Sequence, residues 1–135
     1  MPEYRYKQKL QAYIVQRGIP DALTEYFILN DYSEEDIKQG IAPFIEAWEE
    51  AVYWIEREDG SEHDWNLWQR SELHEVLRYA TDEQIKPHRE RIEKADQKFI
   101  SITREAEDSY GYLIDNNETI DRHVHWWLFR VPKHG

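Results

Sequence analysis

Apolar residues recur along most of this chain at intervals of three, four and seven, the spacing of helices with one covered face. The sharpest run is IAPFIEAWEEAVYWIERE, where Ile41, Phe44, Ile45, Trp48, Val52 and Ile55 share one side. Pro43 suits the first turn, where its missing N–H costs nothing. Glu46, Glu49, Glu50 and Glu56 lie mainly off the apolar face. Upstream, Tyr6, Leu10, Tyr13 and Ile14 predict a helix over 4–17 that stops at Gly18. Leu23, Tyr26 and Phe27 predict a second, from Pro20 to Asn30. SEED at 33–36 has the form of a capping box and predicts a short helix ending at Gly40.

After the Asp59–Gly60 turn signal the pattern resumes. Ser61 and its neighbouring acids suit a helix N-terminus. Trp65, Leu73, Val76, Leu77 and Ala80 make a stripe, with Trp68 and Tyr79 on its shoulder. TDEQ at 81–84 is a second capping box, and Pro87 is expected to begin or bend the next helix. A heptad then runs through Ile85, Ile92, Phe99 and Ala106, with His88, Ala95 and Ile102 at the second position. It predicts a long helix ending near Gly111. The heptad serves equally as an internal seam or as a homodimer seam over 85–106.

Residues 118–131 are ambiguous. They read as a helix through Ile120, Val124, Trp127, Leu128 and Val131, and as a strand because Trp127, Phe129 and Val131 alternate with their neighbours. The β-branched and aromatic composition favours a strand. Its one candidate partner is YGYLI at 110–114. The expectation is therefore mainly α: a single compact multi-helix domain over 1–135. It carries a C-terminal extension for which a short β-hairpin is the candidate form.

Composition changes this picture in one respect. Leu, Ile, Val and Phe are sparse, but six Trp and nine Tyr supply the bulk for a core. There is no cysteine, so no disulfide or thiol chemistry is open to the chain. MPEYRYKQKL lacks the apolar region of a secretory signal, and no apolar run reaches the length of a membrane span. A cytoplasmic location is expected.

Charge narrows the function classes. The formal net charge is −11, and residues 21–64 hold 14 acids against Lys38 and Arg57. Such a field repels nucleic-acid backbones and anionic membranes and attracts basic partners. The basic residues from Lys86 to Arg104 alternate with Glu90, Glu93 and Asp96, which reads as ion pairing and not as a phosphate track.

Catalytic signals are few. No nucleophile elbow, phosphate-cradling glycine loop or zinc-protease spacing occurs. Acidic pairs are plentiful, but glycoside hydrolysis needs two carboxyls facing each other across roughly 5–9 Å. His123 and His125 would point the same way on a strand and could chelate a metal with His63 and Asp64 as further ligands. His74 and His88 sit near apolar faces and read as core or boundary residues.

Two function classes remain. The leading expectation is an acidic cytosolic protein that binds a basic macromolecular partner, with no cofactor, no nucleic acid and no membrane. By analogy of charge alone this is what an inhibitor or immunity protein needs. Its surface would draw on Glu34, Glu35, Asp36, Glu46, Glu49, Glu50, Glu56, Glu58 and Asp59, with Tyr53 and Trp54 as anchors. The alternative is a metal-dependent enzyme using His63, Asp64, His123 and His125.

Overall fold

The computed structural model describes residues 2–58, 60–107, 109–113 and 119–133. Asp59 and Glu118 therefore lie outside the described residues. The chain forms α1 (Pro2–Arg17), α2 (Ala22–Leu29), α3 (Glu34–Gln39), α4 (Ala42–Arg57), α5 (His63–Tyr79), α6 (Asp82–Ile85) and α7 (Arg89–Ile102). Strands β1 (Thr103–Glu105) and β2 (Arg130–Pro132) come after them, with 3-10 turns at Lys86–His88, Gly111–Leu113 and Trp126–Phe129.

Local chemistry explains the helix starts. Asp21 accepts the Thr24 amide at 2.8 Å. Ser33 and Asp36 bond each other's backbone at 3.1 and 3.0 Å, and Thr81 and Gln84 do the same at 3.1 and 2.8 Å. Both capping boxes are thus formed, and each satisfies two amides that the first turn leaves open. Pro87 sits in a 3-10 turn between α6 and α7, where the lost amide is absorbed by tighter winding.

α4 is the central element. It buries Ile45, Trp48, Ala51, Val52 and Ile55, and packs on α5 along one side and α7 along the other. α5 contributes Leu67, Leu73 and Val76; α7 contributes Ile92, Ala95 and Phe99. Trp48 meets Phe99 with ring centroids 5.0 Å apart. The heptad seam of α7 is therefore covered by its own chain. α2 adds Leu23 and Phe27 from the side, and Trp127 and Leu128 close the cluster. Among the described residues no helix is long and apolar enough to cross a membrane.

Three expectations need correction. The heptad helix stops at Ile102, not near Gly111, and Ala106 lies outside it. At its end the Thr103 hydroxyl turns back to the Phe99 carbonyl at 2.7 Å. Arg130 then bonds the Thr103 hydroxyl, the Thr103 carbonyl and the Ile100 carbonyl at 2.8, 2.9 and 3.2 Å. A guanidinium delivered from far along the chain thus satisfies the carbonyls of the last turn. Secondly, the partner of the C-terminal strand is Thr103–Glu105 and not 110–114: Thr103 faces Pro132, Arg104 faces Val131 and Glu105 faces Arg130, antiparallel. Residues 111–113 are a 3-10 turn instead. The ambiguous tail is neither one helix nor one strand, but a turn, a 3-10 segment and then β2. Thirdly, Trp65 is 61% exposed and not part of the core stripe. Asn66 and Arg70 occupy the inward face of α5 there, and the indole is left outside.

Candidate functional site

Some of the acidic residues of 21–64 are answered by partners within the chain, and others line a groove. Glu34 pairs with Arg17 at 3.1 Å, Glu35 accepts from Gln39 at 3.4 Å, and Asp36 is committed to its capping box. Glu49 forms an ion pair with Arg91, and Glu56 with Lys98 and with Arg57 at 3.6 Å. Glu46 contributes to the same field around Arg91, whose guanidinium is held above its ordinary pKa by the Glu49 hydrogen bond and charge. Glu34 bridges α3 to α1, and Glu49 and Glu56 bridge α4 to α7. Surface pairs of this kind contribute little to stability, but they do occupy the charge.

Glu50, Trp54 and Glu58 lie apart from these pairs. They line a groove of about 400 Å³ between α4 and α5, which Glu62 and Trp65 complete. The geometry follows from the turn between the helices. Glu58 is the C-cap of α4 and Glu62 the N-cap of α5, so two carboxylates are placed where the helices diverge. One Glu58 oxygen is shielded from solvent and takes no hydrogen bond. Trp54 is 42% exposed and Trp68 38%, and Trp68 stacks on Trp65 with centroids 5.8 Å apart. Trp54 on α4, and Trp65 and Trp68 on adjacent turns of α5, are each at least a third exposed, which is unusual because Trp is normally well covered. Tyr53 points elsewhere: the Arg57 guanidinium lies 3.6 Å above its ring. Glu62 and Trp65 have no signal in the sequence, since the first reads as a helix start and the second as core.

The four histidine-site residues do not converge on one point. His63 is buried, and its Nε2–H donates to the Arg130 carbonyl at 2.8 Å. That fixes the tautomer, because a carbonyl only accepts. Its Nδ1 is then a shielded acceptor with no hydrogen bond. Asp64 accepts the Tyr112 hydroxyl, which raises the phenol to about 12. His123 is exposed on a turn, while His125 is buried. Asp121 forms that turn. Its carboxylate accepts the His123 and Val124 amides at 2.8 and 3.2 Å, which hold it below the usual carboxylate range. Its own amide donates to His125 Nδ1 at 2.9 Å. The His125 ring packs against His74 and Trp127 at 5.2 and 5.8 Å. Among the described residues no group of three or more His, Asp or Glu is arranged to hold a metal ion.

His63 clasps α5 to β2, and burial lowers its pKa below the ordinary value. The unfolded chain then binds the proton more readily, so this group supports the fold above about pH 6.5 and withdraws support as pH falls. Glu72 has the opposite sign, its pKa being raised by burial and by Glu75. A His63→Gln variant separates the two. Between pH 7 and pH 5 the melting temperature of the parent is expected to fall more than that of the variant. Parallel curves would mean that the imidazole does not titrate differently on folding.

Comparison with protein-family models, curated proteins and solved structures gives no match to this chain.

Proposed function

We propose that the chain is an interaction module whose α4–α5 groove receives a lysine- or arginine-bearing segment of a basic protein. The observation that carries this reading is the convergence of Glu50, Glu58 and Glu62 with the exposed indoles of Trp54 and Trp65 around one groove. Carboxylates steer a basic partner in and set its register, while rigid aromatic rings supply the contact area that holds it. The cysteine-free composition suits a reducing compartment, and the cytoplasm is the location we propose.

The test must separate this groove from the general attraction of an acidic protein for cations. A labelled lysine- and arginine-rich peptide is titrated against the parent and two triple variants of equal charge. In one, Glu50, Glu58 and Glu62 become Gln; in the other, the exposed Glu83, Glu90 and Glu93 do. The first is expected to weaken binding at least about tenfold, or ~1.4 kcal/mol. The second is expected to leave it within about twofold. Affinity should also drop between ~50 and ~300 mM salt. Equal losses in the two variants would reduce the binding to net charge and remove the reading.

A further inference from the structure

On the other flank of α5 lies a second cleft, of about 310 Å³, within the range of small-ligand sites. Three elements build it. Tyr26 and Tyr32 come from α2 and the turn after it, Trp68, Glu72 and Glu75 from α5, and Tyr112 from the 3-10 turn at 111–113. Four aromatic side chains share the lining with two carboxyls one helical turn apart and with the polar Asn30, Ser71 and His74.

The two carboxyls differ in one respect. Glu75 is held by Arg78, whose guanidinium reaches both its oxygens at 3.1 and 3.2 Å. Glu72 is half-buried, and no hydrogen bond or ion pair is made to it among the described residues. Its charge is felt across the cleft. Tyr26 and Tyr32 both have raised pKa values, chiefly through burial and next through the Glu72 charge. Glu72 itself is pushed up by desolvation and by Glu75. A half-buried carboxylate with no partner lowers stability, and a cation that entered would relieve that cost. Aromatic faces attract cations as well, most strongly ammonium groups that shed water easily.

We infer that this cleft binds an organic ammonium ion, with Glu72 as its counter-ion and Tyr26, Tyr32, Trp68 and Tyr112 as its aromatic walls. The ammonium belongs either to a free small molecule or to a lysine side chain. The inference does not depend on the α4–α5 groove. The cleft continues past Tyr32, Trp68 and Glu72 into a more apolar recess beside Pro43 and Phe44. A ligand with a cationic head and an apolar body fits that sequence of surfaces.

The experiment uses choline, its neutral isostere 3,3-dimethyl-1-butanol, and N-acetyl-lysine amide, each titrated calorimetrically against the full chain. At least one of the two cations is expected to saturate a single site, with the alcohol at least about tenfold weaker. Saturation by choline alone assigns a free ammonium compound; saturation by the lysine derivative alone assigns a side chain. Glu72→Gln is expected to weaken the cation at least about tenfold and leave the alcohol unchanged. Trp68→Leu gives the same ordering without touching the charge. Glu72→Gln should also raise the melting temperature by a few degrees at pH 7, because an unpaired charge is removed. The sign follows from the raised folded pKa: the penalty is absent below the unfolded value near 4.5 and grows as pH rises through the folded one. The gain should therefore disappear near pH 4. Three results would each overturn the inference: no saturable binding of either cation, equal binding of the alcohol, or a Glu72→Gln variant that binds like the parent. Variants of Glu50, Glu58 and Glu62 should not change choline binding, which keeps this test separate from that of the groove.

Discussion

Asp96→Ala is expected to lower the unfolding free energy by about 3–5 kcal/mol. Asp96 receives Arg70 twice, from Nε at 2.9 Å and from Nη2 at 3.2 Å, and also the Trp48 indole N–H at 2.9 Å. Arg70 is 7% exposed, and its guanidinium lies 4.9 Å from the Trp127 ring centroid and 5.6 Å from that of Trp126. Removing the carboxylate leaves a cation stranded in the interior and an indole N–H without an acceptor. Both groups then bear a desolvation cost that nothing offsets. Urea unfolding followed by tryptophan fluorescence should show a large fall in midpoint at an unchanged slope. The double variant Arg70→Met with Asp96→Leu is expected to lose much less, since apolar side chains of similar volume need no partner. A double-mutant cycle on the pair then reads the coupling directly. An Asp96→Ala loss under about 1 kcal/mol, typical of exposed pairs, would mean that the guanidinium finds water instead.

Trp127→Ala carries the second large effect, about 3–5 kcal/mol. The side chain is fully buried, and its indole N–H donates to the Ser71 hydroxyl at 2.9 Å. Truncation removes a fully buried indole from the core cluster and opens a void that the surrounding helices can only partly fill. Trp127→Phe retains most of the volume and loses the hydrogen bond, so it should fall between parent and alanine variant. Ser71→Ala leaves the indole donor unpaired and is expected to lose about 1–3 kcal/mol by itself. Should Trp127→Ala unfold at the parent's midpoint, the C-terminal segment would be an appendage and not a part of the core.

How legible each feature is in the sequence depends on how local its causes are. The α4 stripe is legible because one helix carries both the pattern and its burial. The two capping boxes are legible because each closes within four residues. The end of α7 is not, since the groups that stop it are the Thr103 hydroxyl and a guanidinium from residue 130. The heptad continues past that point to Ala106, and nothing local contradicts it. Trp65 reads as core for a related reason. Periodicity sees an indole in phase with Val76, but not the Asp96 carboxylate that makes Arg70 acceptable on the buried face. Asp96 itself reads as one more charge on an ion-paired helix.

The site divides along the same line. Clustered acids between 21 and 64 are visible as charge, but not the cations that answer them. Arg17, Arg91 and Lys98 answer Glu34, Glu49 and Glu56, while Glu50 and Glu58 line the α4–α5 groove. The cleft around Glu72 has no signal at all, because its lining comes from three separate elements.

Pairing Thr103 with Pro132, and seating Trp127 beside Ser71, sets a timetable for folding. α4 and α5 are joined by a short turn and can dock early, since bringing near neighbours together sacrifices little chain entropy. The hairpin needs segments almost thirty positions apart to meet, a slower event in proteins whose contacts span long stretches. Arg70 must therefore wait, during collapse, for the indoles that finally roof it.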